Sequence, residues 1–218
     1  MTSLTSVVLS VNLTAVVHEG EWTGSVGRTG IDKRPVSGLV NASNECLLGD
    51  VVADRKNHGG YDQAVYAYAS EDVAWWEKEI GMDIAYGRFG ENLTTKGVDV
   101  TNAVIGQRWS IGTTILEVSQ PRIPCRVFEG FWGRPGLIKD FTRAGRPGAY
   151  LRIVQEGELQ AGDEISIVRQ PTHGVTIADL FAAKAGERSR VAEIARNSDV
   201  SEDIRQWANR ILETTKEF

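Results

Sequence analysis

The sequence predicts a mostly β protein with helices, a barrel-like sheet followed by a small C-terminal three-helix segment. Three observations carry this expectation. Short runs with strand-like alternation recur from about residue 6 to residue 169, separated by glycine-rich stretches. A single strong helical pattern interrupts them near residue 70. After Pro171 the apolar spacing becomes that of a helix. Many short strands with few helices point to a closed or nearly closed barrel.

In chain order, residues 6–18 alternate weakly and are rich in Val, Leu and Thr, which suits a first strand. Residues 20–62 hold eight glycines and few long apolar runs, so short strands joined by loops are expected there. Residues 64–69 (Ala-Val-Tyr-Ala-Tyr-Ala) read as a strand. A helix follows, with Ser70 as N-cap, Glu71 and Asp72 in the first turn, Val73, Trp76 and Ile80 at helical spacing, and Gly81 as terminator. Residues 113–119 alternate as a half-buried strand does, and 148–155 and 163–169 are two more strands around a turn at Ala161-Gly162-Asp163. The barrel domain is thus expected over 1–170 and the extension over 172–218. In the extension Ile177, Leu180 and Phe181, then Val191 and Ile194, then Ile204, Trp207, Ala208, Ile211 and Leu212 mark three short helices. They could form a bundle of their own or pack on the barrel.

Composition narrows the function classes. The formal charge is −5, from 24 basic against 29 acidic side chains, which argues against a general binder of nucleic acid or anionic membranes. The N-terminus has no basic segment followed by an apolar core, and no window approaches the roughly 18 apolar residues of a membrane span. Cys46 and Cys125 are the only cysteines, and no C-x-x-C pair or His/Cys cluster occurs. A reducing cytoplasm is the expected location, and a zinc site is not expected. The Asn-x-Ser/Thr sequons at Asn12, Asn41 and Asn92 are then chance matches.

Three stretches are candidates for chemistry. Asn57-His58-Gly59-Gly60-Tyr61-Asp62 precedes a strand, and a His beside two glycines lets backbone approach a ligand while the ring faces a cleft. The plain alternative is a turn with a surface His. Gly87-Arg88-Phe89-Gly90-Glu91-Asn92 offers Glu91, Asn92 and freed backbone N–H groups to a polar ligand, or is an ordinary polar loop. Ser119-Gln120-Pro121-Arg122-Ile123-Pro124-Cys125-Arg126 is the most informative. Two prolines stiffen the exit of a strand, and two arginines flank a cysteine. Positive neighbours favour the thiolate, which is both a nucleophile and a soft-metal ligand. Lone cysteines are more often small buried hydrophobes. Cys46 lacks such a setting and reads as structural. No Walker-type or dinucleotide fingerprint occurs.

Taken in order, His58-Gly-Gly-x-Asp62, Phe89-Gly-Glu-Asn-Leu93 and Gln120-Pro-Arg-x-Pro-Cys125 resemble the MOSC domain, the family named for the C-terminal domain of molybdenum cofactor sulfurases. Ile31-Asp32-Lys33-Arg34-Pro35-Val36, Leu48-Gly49-Asp50 and Tyr150-Leu151-Arg152 agree with it. The likeness runs from about Ile31 to Val168, and the helical extension is similar to that of bacterial 6-N-hydroxylaminopurine reductases. Tyr61 departs from the proline common at that place.

The resemblance implies a MOSC-type β-barrel that binds the molybdenum cofactor (Mo-molybdopterin), with Cys125 as metal ligand and catalytic residue. Because this cofactor brings dithiolene sulfurs, one protein thiolate suffices. The resemblance also makes Lys33, Arg122 and Arg152 candidates for phosphate or pterin contacts. His58 and Asn92 become candidates for pterin contacts or proton delivery, with His58 also catalytic. The implied activity is two-electron reduction of a small N-hydroxylated substrate such as a hydroxylaminopurine. No flavin or iron–sulfur signature is present, so a separate electron-donor protein is implied, and a homodimer is compatible with the pattern. Neither nucleic acid nor membrane is an expected partner. An alternative is a cofactor carrier or sulfur-transfer module without turnover. A helix-turn-helix regulator fits poorly, since residues 172–218 carry seven Lys/Arg against eight Asp/Glu.

Overall fold

The computed structural model describes residues 5–25, 27–43, 45–53 and 59–214. The first half contains β1 (Val7–Glu19), β2 (Arg28–Val36), β3 (Val40–Ser43), β4 (Cys46–Leu47), β5 (Val65–Ala69), α1 (Ser70–Ile80) and β6 (Leu93–Lys96). The second half contains β7 (Arg108–Ile111), β8 (Thr114–Pro121), α2 (Arg126–Trp132), α3 (Leu137–Ala144), β9 (Ala149–Gln155), β10 (Gly157–Leu159) and β11 (Ile165–Arg169). The chain closes with α4 (Ile177–Lys184), α5 (Val191–Arg196) and α6 (Glu202–Thr214).

Among the described residues, eight strands form one sheet in the order β11-β7-β8-β9-β5-β6-β1-β2, and β10-β3-β4 form a small second sheet. Neighbours are antiparallel except β5 and β6, whose parallel pairing is spanned by the α1 crossover. The expected closed barrel is not completed by a continuous ladder. Instead β1 serves both β6 and β2 along its length, and its first residues reach the start of β11. An isolated bridge joins Val7 to Glu164, and Val8 N–H donates to the Asp163 carbonyl at 2.9 Å. The curled sheet thus comes back on itself with one short stitch.

Strict alternation in β5 sorts the two cores. Val65, Ala67 and Ala69 face the main aliphatic cluster, and Tyr66 and Tyr68 face an aromatic cluster. The aromatic cluster includes Trp76 of α1, Phe89, Phe128 of α2 and Phe141 of α3. Helices α2 and α3 have no counterpart in the sequence reading. They are seven and eight residues long and end at Gly133 and Gly145, so neither shows enough helical period to stand out. The helix at Ser70 forms, but Ala69 occupies the N-cap position and Ser70 lies in the first turn, its hydroxyl on Glu71. Gly81 ends that helix in a left-handed conformation, φ 74°.

The three C-terminal helices pack on the sheet. Ile177, Leu180, Val191, Ile194, Ile204 and Ala208 belong to the same cluster as Leu116 and Val118 of β8, and Trp207 and Ile211 pack against it. Backbone hydrogen bonds from Ile177 to Ala103 (3.0 Å) and from Ala178 to Thr101 (2.9 Å) seat the start of α4, and a Thr176/Asp179 capping box closes its N-terminus. No helix among the described residues is long and apolar enough to cross a membrane.

Candidate functional site

Five segments converge on a cavity of about 130 Å³. That is many times the roughly 10–15 Å³ that one water needs, so the space is of ligand size. Strand β2 contributes Gly30, Ile31 and Lys33, and the segment after β4 contributes Asp50 to Ala53. The turn before β5 supplies Gly59 and Gln63, the loop before β6 supplies Gly90 and Asn92, and the exit of β8 supplies Arg122 and Cys125. Tyr66 and Tyr150 complete the wall.

Two glycines make the approach possible. Gly87 has φ 89°, and a Cβ there would lie 2.3 Å from the Lys33 carbonyl oxygen, so the loop before β6 runs directly against β2. Gly90 has φ 75°, and its Cβ would come within 3.0 Å of Ile31 and 3.4 Å of an Arg122 guanidinium nitrogen. The loop is held from within. Glu91 is fully buried and accepts the N–H groups of Gly87 (2.6 Å) and Phe89 (3.0 Å) and the Thr94 hydroxyl (2.9 Å). Its carboxylate therefore serves the loop rather than a ligand. Burial raises its pKa above the ordinary range against these hydrogen bonds.

At the floor, Lys33 is ion-paired with Asp50. Asp50 also accepts Asn92 Nδ2 (2.9 Å), the Thr14 hydroxyl (2.8 Å) and the Thr14 N–H (3.2 Å). Burial works to raise the Asp50 carboxyl, but the Lys33 charge and these donors outweigh it and hold the pKa below its ordinary value. Burial lowers the Lys33 pKa. The Asn92 amide is spent on protein: Nδ2 also reaches the Asn12 carbonyl at 3.3 Å, and Oδ1 accepts the Tyr66 N–H at 3.0 Å. Asn92 thus lines the cavity as a brace.

Arg122 is 6% exposed, and among the described residues no carboxylate lies within ion-pair distance of it. Its guanidinium donates to the Phe89 carbonyl and lies over the rings of Phe128 (4.4 Å to the centroid) and Tyr66 (5.2 Å). Burial opposes its charge, and the fields of Tyr66, Tyr150 and Cys125 support it. Cys125 stands at the N-cap of α2 with extended backbone, half-buried and not disulfide-bonded. Of the two arginines that flank it in sequence, Arg122 turns into the cavity and Arg126 is exposed.

The structure therefore brings Lys33, Asn92, Arg122 and Cys125 together and leaves Arg152 out. Arg152 lies two residues beyond Tyr150 on β9, on the same face, where Tyr61 and Asp62 cover it. Its guanidinium is engaged with Asp62 and Glu117 instead of the cavity. His58 lies outside the described residues. Arg28, Gln63 and Tyr150 line the cavity and were missed as site residues. Tyr150 had a signal, being adjacent to a motif residue, whereas Arg28 lies in a stretch with none.

The residues present fit a molybdenum cofactor. Among the described residues no three His, Cys, Asp or Glu side chains are grouped as a protein-only metal centre requires. A cofactor that carries its own sulfur ligands needs only Cys125, and the buried guanidinium of Arg122 suits an anionic group.

The MOSC domain family matches residues 54–166. The chain is 33% identical over 170 residues to YflK of Bacillus subtilis (strain 168), covering 78% of this chain and 76% of that one. It is 33% identical over 159 residues to a protein named Reductase from Gibberella moniliformis, covering 71% of this chain but 28% of that much longer one. Among solved structures, YiiM from Geobacillus stearothermophilus superposes with a TM-score of 0.78 at 28% identity, covering 94% of this chain and 98% of that one.

Proposed function

The chain belongs to the MOSC domain family, and from that premise we propose that it is a molybdenum-cofactor-dependent reductase of N-hydroxylated compounds in which the Cys125 thiolate ligates the metal. The observation that carries the reading is the meeting of Cys125 with the buried guanidinium of Arg122, which has no carboxylate partner among the described residues, in one ligand-sized cavity. The reaction is R–NH–OH plus two electrons and two protons giving R–NH2 and water. When bound, the cofactor supplies the two-electron chemistry that removes oxygen from nitrogen.

The chain's own groups do the rest. Cys125 anchors the metal through its thiolate. Arg122 balances anionic charge at the thiolate or on the pterin phosphate, and its own burial limits solvent screening. Lys33 is held by Asp50 at the floor and offers its remaining N–H donors to the pterin or its phosphate. Asn92 keeps Asp50 and the first turn of β5 in place. His58 is the proposed carrier of a proton to the leaving hydroxyl, because an imidazole can give up a proton near neutrality. Electrons come from a separate donor protein. The relative named Reductase, of whose length this chain spans 28%, supports an oxidoreductase.

The experiment is expression in a host competent in molybdenum cofactor synthesis, followed by elemental analysis and assay of 6-N-hydroxylaminopurine reduction with an artificial electron donor. Near-stoichiometric molybdenum with turnover is expected. Absence of molybdenum overturns the reading, and molybdenum without turnover replaces it with a carrier or sulfur-transfer role.

A further inference from the structure

We infer that Arg152 is a positioning residue, the link through which the C-terminal helices hold the Gly59–Gln63 wall of the cavity. Its side chain is 9% exposed. Nε donates to the Asp62 carboxylate, and Nη1 donates to Glu117 at 2.8 Å and to the Asp199 carbonyl at 3.3 Å. Asp62 sits in the short 3-10 turn Tyr61–Gln63, whose neighbours Gly59 and Gln63 line the cavity. The Gly59 N–H donates to Gln63 Oε1 at 3.2 Å, and the Ser119 hydroxyl lies 2.5 Å from the Asp62 carbonyl. Among the described residues, the Arg152–Asp62 pair is the one ion pair this wall makes, beside its packing on β8 and β9.

The other end reaches the extension. Arg169 lies 3.6 Å from Glu117 and donates through Nη2 to both carboxylate oxygens of Asp199, at 3.0 and 3.1 Å. Asp199 stands between α5 and α6. It is pressed against Gly106, where a Cβ would come within 2.7 Å of its carboxyl carbon. Charges therefore alternate along Asp62, Arg152, Glu117, Arg169 and Asp199. Arg152 and Arg169 each face two carboxylate residues, and Glu117 is shared by three arginines, Arg108 at 2.7 Å, Arg152 at 2.8 Å and Arg169 at 3.6 Å. Arg152 and Glu117 are buried, so loosening one end weakens the field that holds the next charge. Removing the Asp199 end transmits to Asp62 by this route, through contacts that are continuous and named. The consequence of this arrangement for cofactor retention rests on the function proposed above.

The test is amide hydrogen exchange on the full chain without cofactor, comparing wild type with Arg152→Gln, Arg152→Lys, Arg169→Gln and Arg143→Gln. Arg143 pairs with Asp140 on the solvent-facing side of α3 and serves as control. At residues 61–66, exchange is expected to accelerate about tenfold in Arg152→Gln and about threefold in Arg169→Gln, and to stay unchanged in Arg143→Gln. Arg152→Lys keeps the charge and should recover part of the protection. Arg169 is partly exposed, so its variant keeps the fold even if Arg152→Gln does not. The inference is overturned if Arg169→Gln accelerates exchange only around residues 197–200, or if Arg152→Gln and Arg152→Lys accelerate it uniformly over the sheet. The expected pattern in a chain that takes up no molybdenum supports the positioning role and removes the cofactor reading instead.

Discussion

Asn92 donates to the Asp50 carboxylate at 2.9 Å while its own side-chain oxygen accepts the Tyr66 backbone N–H at 3.0 Å, so one buried amide ties the loop before β6 to both the cavity floor and β5. Asn92→Ala strands the Tyr66 N–H and removes a donor from a buried carboxylate. A loss of about 1–3 kcal/mol in unfolding free energy is expected from denaturant melts. Asn92→Asp should cost more, because a second carboxylate then faces Asp50. A melt indistinguishable from wild type would make the amide a bystander.

Asp50 gives a pH signature. Its folded pKa is depressed, so its contribution to stability is present above the unfolded value of roughly 3.9 and is lost as pH falls through the folded value. In that window the unfolded chain binds more protons, and stability rises with pH. The stability gap between wild type and Asp50→Asn should therefore be flat near neutrality and shrink below about pH 4. A gap that widens on acidification contradicts the pairing with Lys33.

The two cysteines should separate cleanly. Cys125→Ser is expected to abolish molybdenum content and N-hydroxy reduction with little change in melting temperature, because the half-buried position tolerates a hydroxyl. Cys46→Ser, on the short β4 away from the cavity lining, should leave both near wild type. Equal activity of wild type and Cys125→Ser sinks the assignment.

Arg122 tests the electrostatics of the cavity. A charge-assisted contact to an anionic group contributes about 1.5–3 kcal/mol, so Arg122→Ala should weaken cofactor retention by roughly one to two decades. Arg122→Lys keeps the charge but loses the planar stack over Phe128, and should fall between. Molybdenum retained after extensive gel filtration is the readout. Full retention in Arg122→Ala would assign the guanidinium to packing alone.

What could be read from the chain depended on how local the cause was. Alternation in 64–69 and the Ser70–Gly81 pattern are local, and both elements formed within a residue or two of expectation. Glycine-bounded α2 and α3 are too short for period to speak, and they draw their stability from aromatic packing around Phe89. The site divided in the same way. Cys125 and Arg122 share a proline-stiffened stretch and a cavity, whereas Arg152 reads from the sequence as a ligand contact because nothing local reveals Asp62, Glu117 and Asp199 around it. Those partners come from three distant segments. Glu91 and Asn92 illustrate a further limit: polar residues beside glycine look like ligand donors, yet their hydrogen bonds turn inward to shape the loop.

The C-terminal extension should behave as part of the same cooperative unit as the sheet. Leu180 of α4 is fully buried and shares its cluster with Leu116 and Val118 of β8. Leu180→Ala removes buried methyl groups and leaves a void, at an expected cost of about 2–5 kcal/mol. Because sheet and helices share one core, far-ultraviolet dichroism of the helices and the indole N–H magnetic-resonance signal of buried Trp109 should be lost in a single coincident transition. Deleting residues 172–218 uncovers the sheet surface beneath Leu180, Val191 and Ile194, and poorly soluble material is expected. Two separated transitions, or a truncated chain that stays monomeric and equally stable, would show that the extension only leans on the sheet. In that case Leu180→Ala should lower the melting of the helices alone, leaving the Trp109 transition where it was.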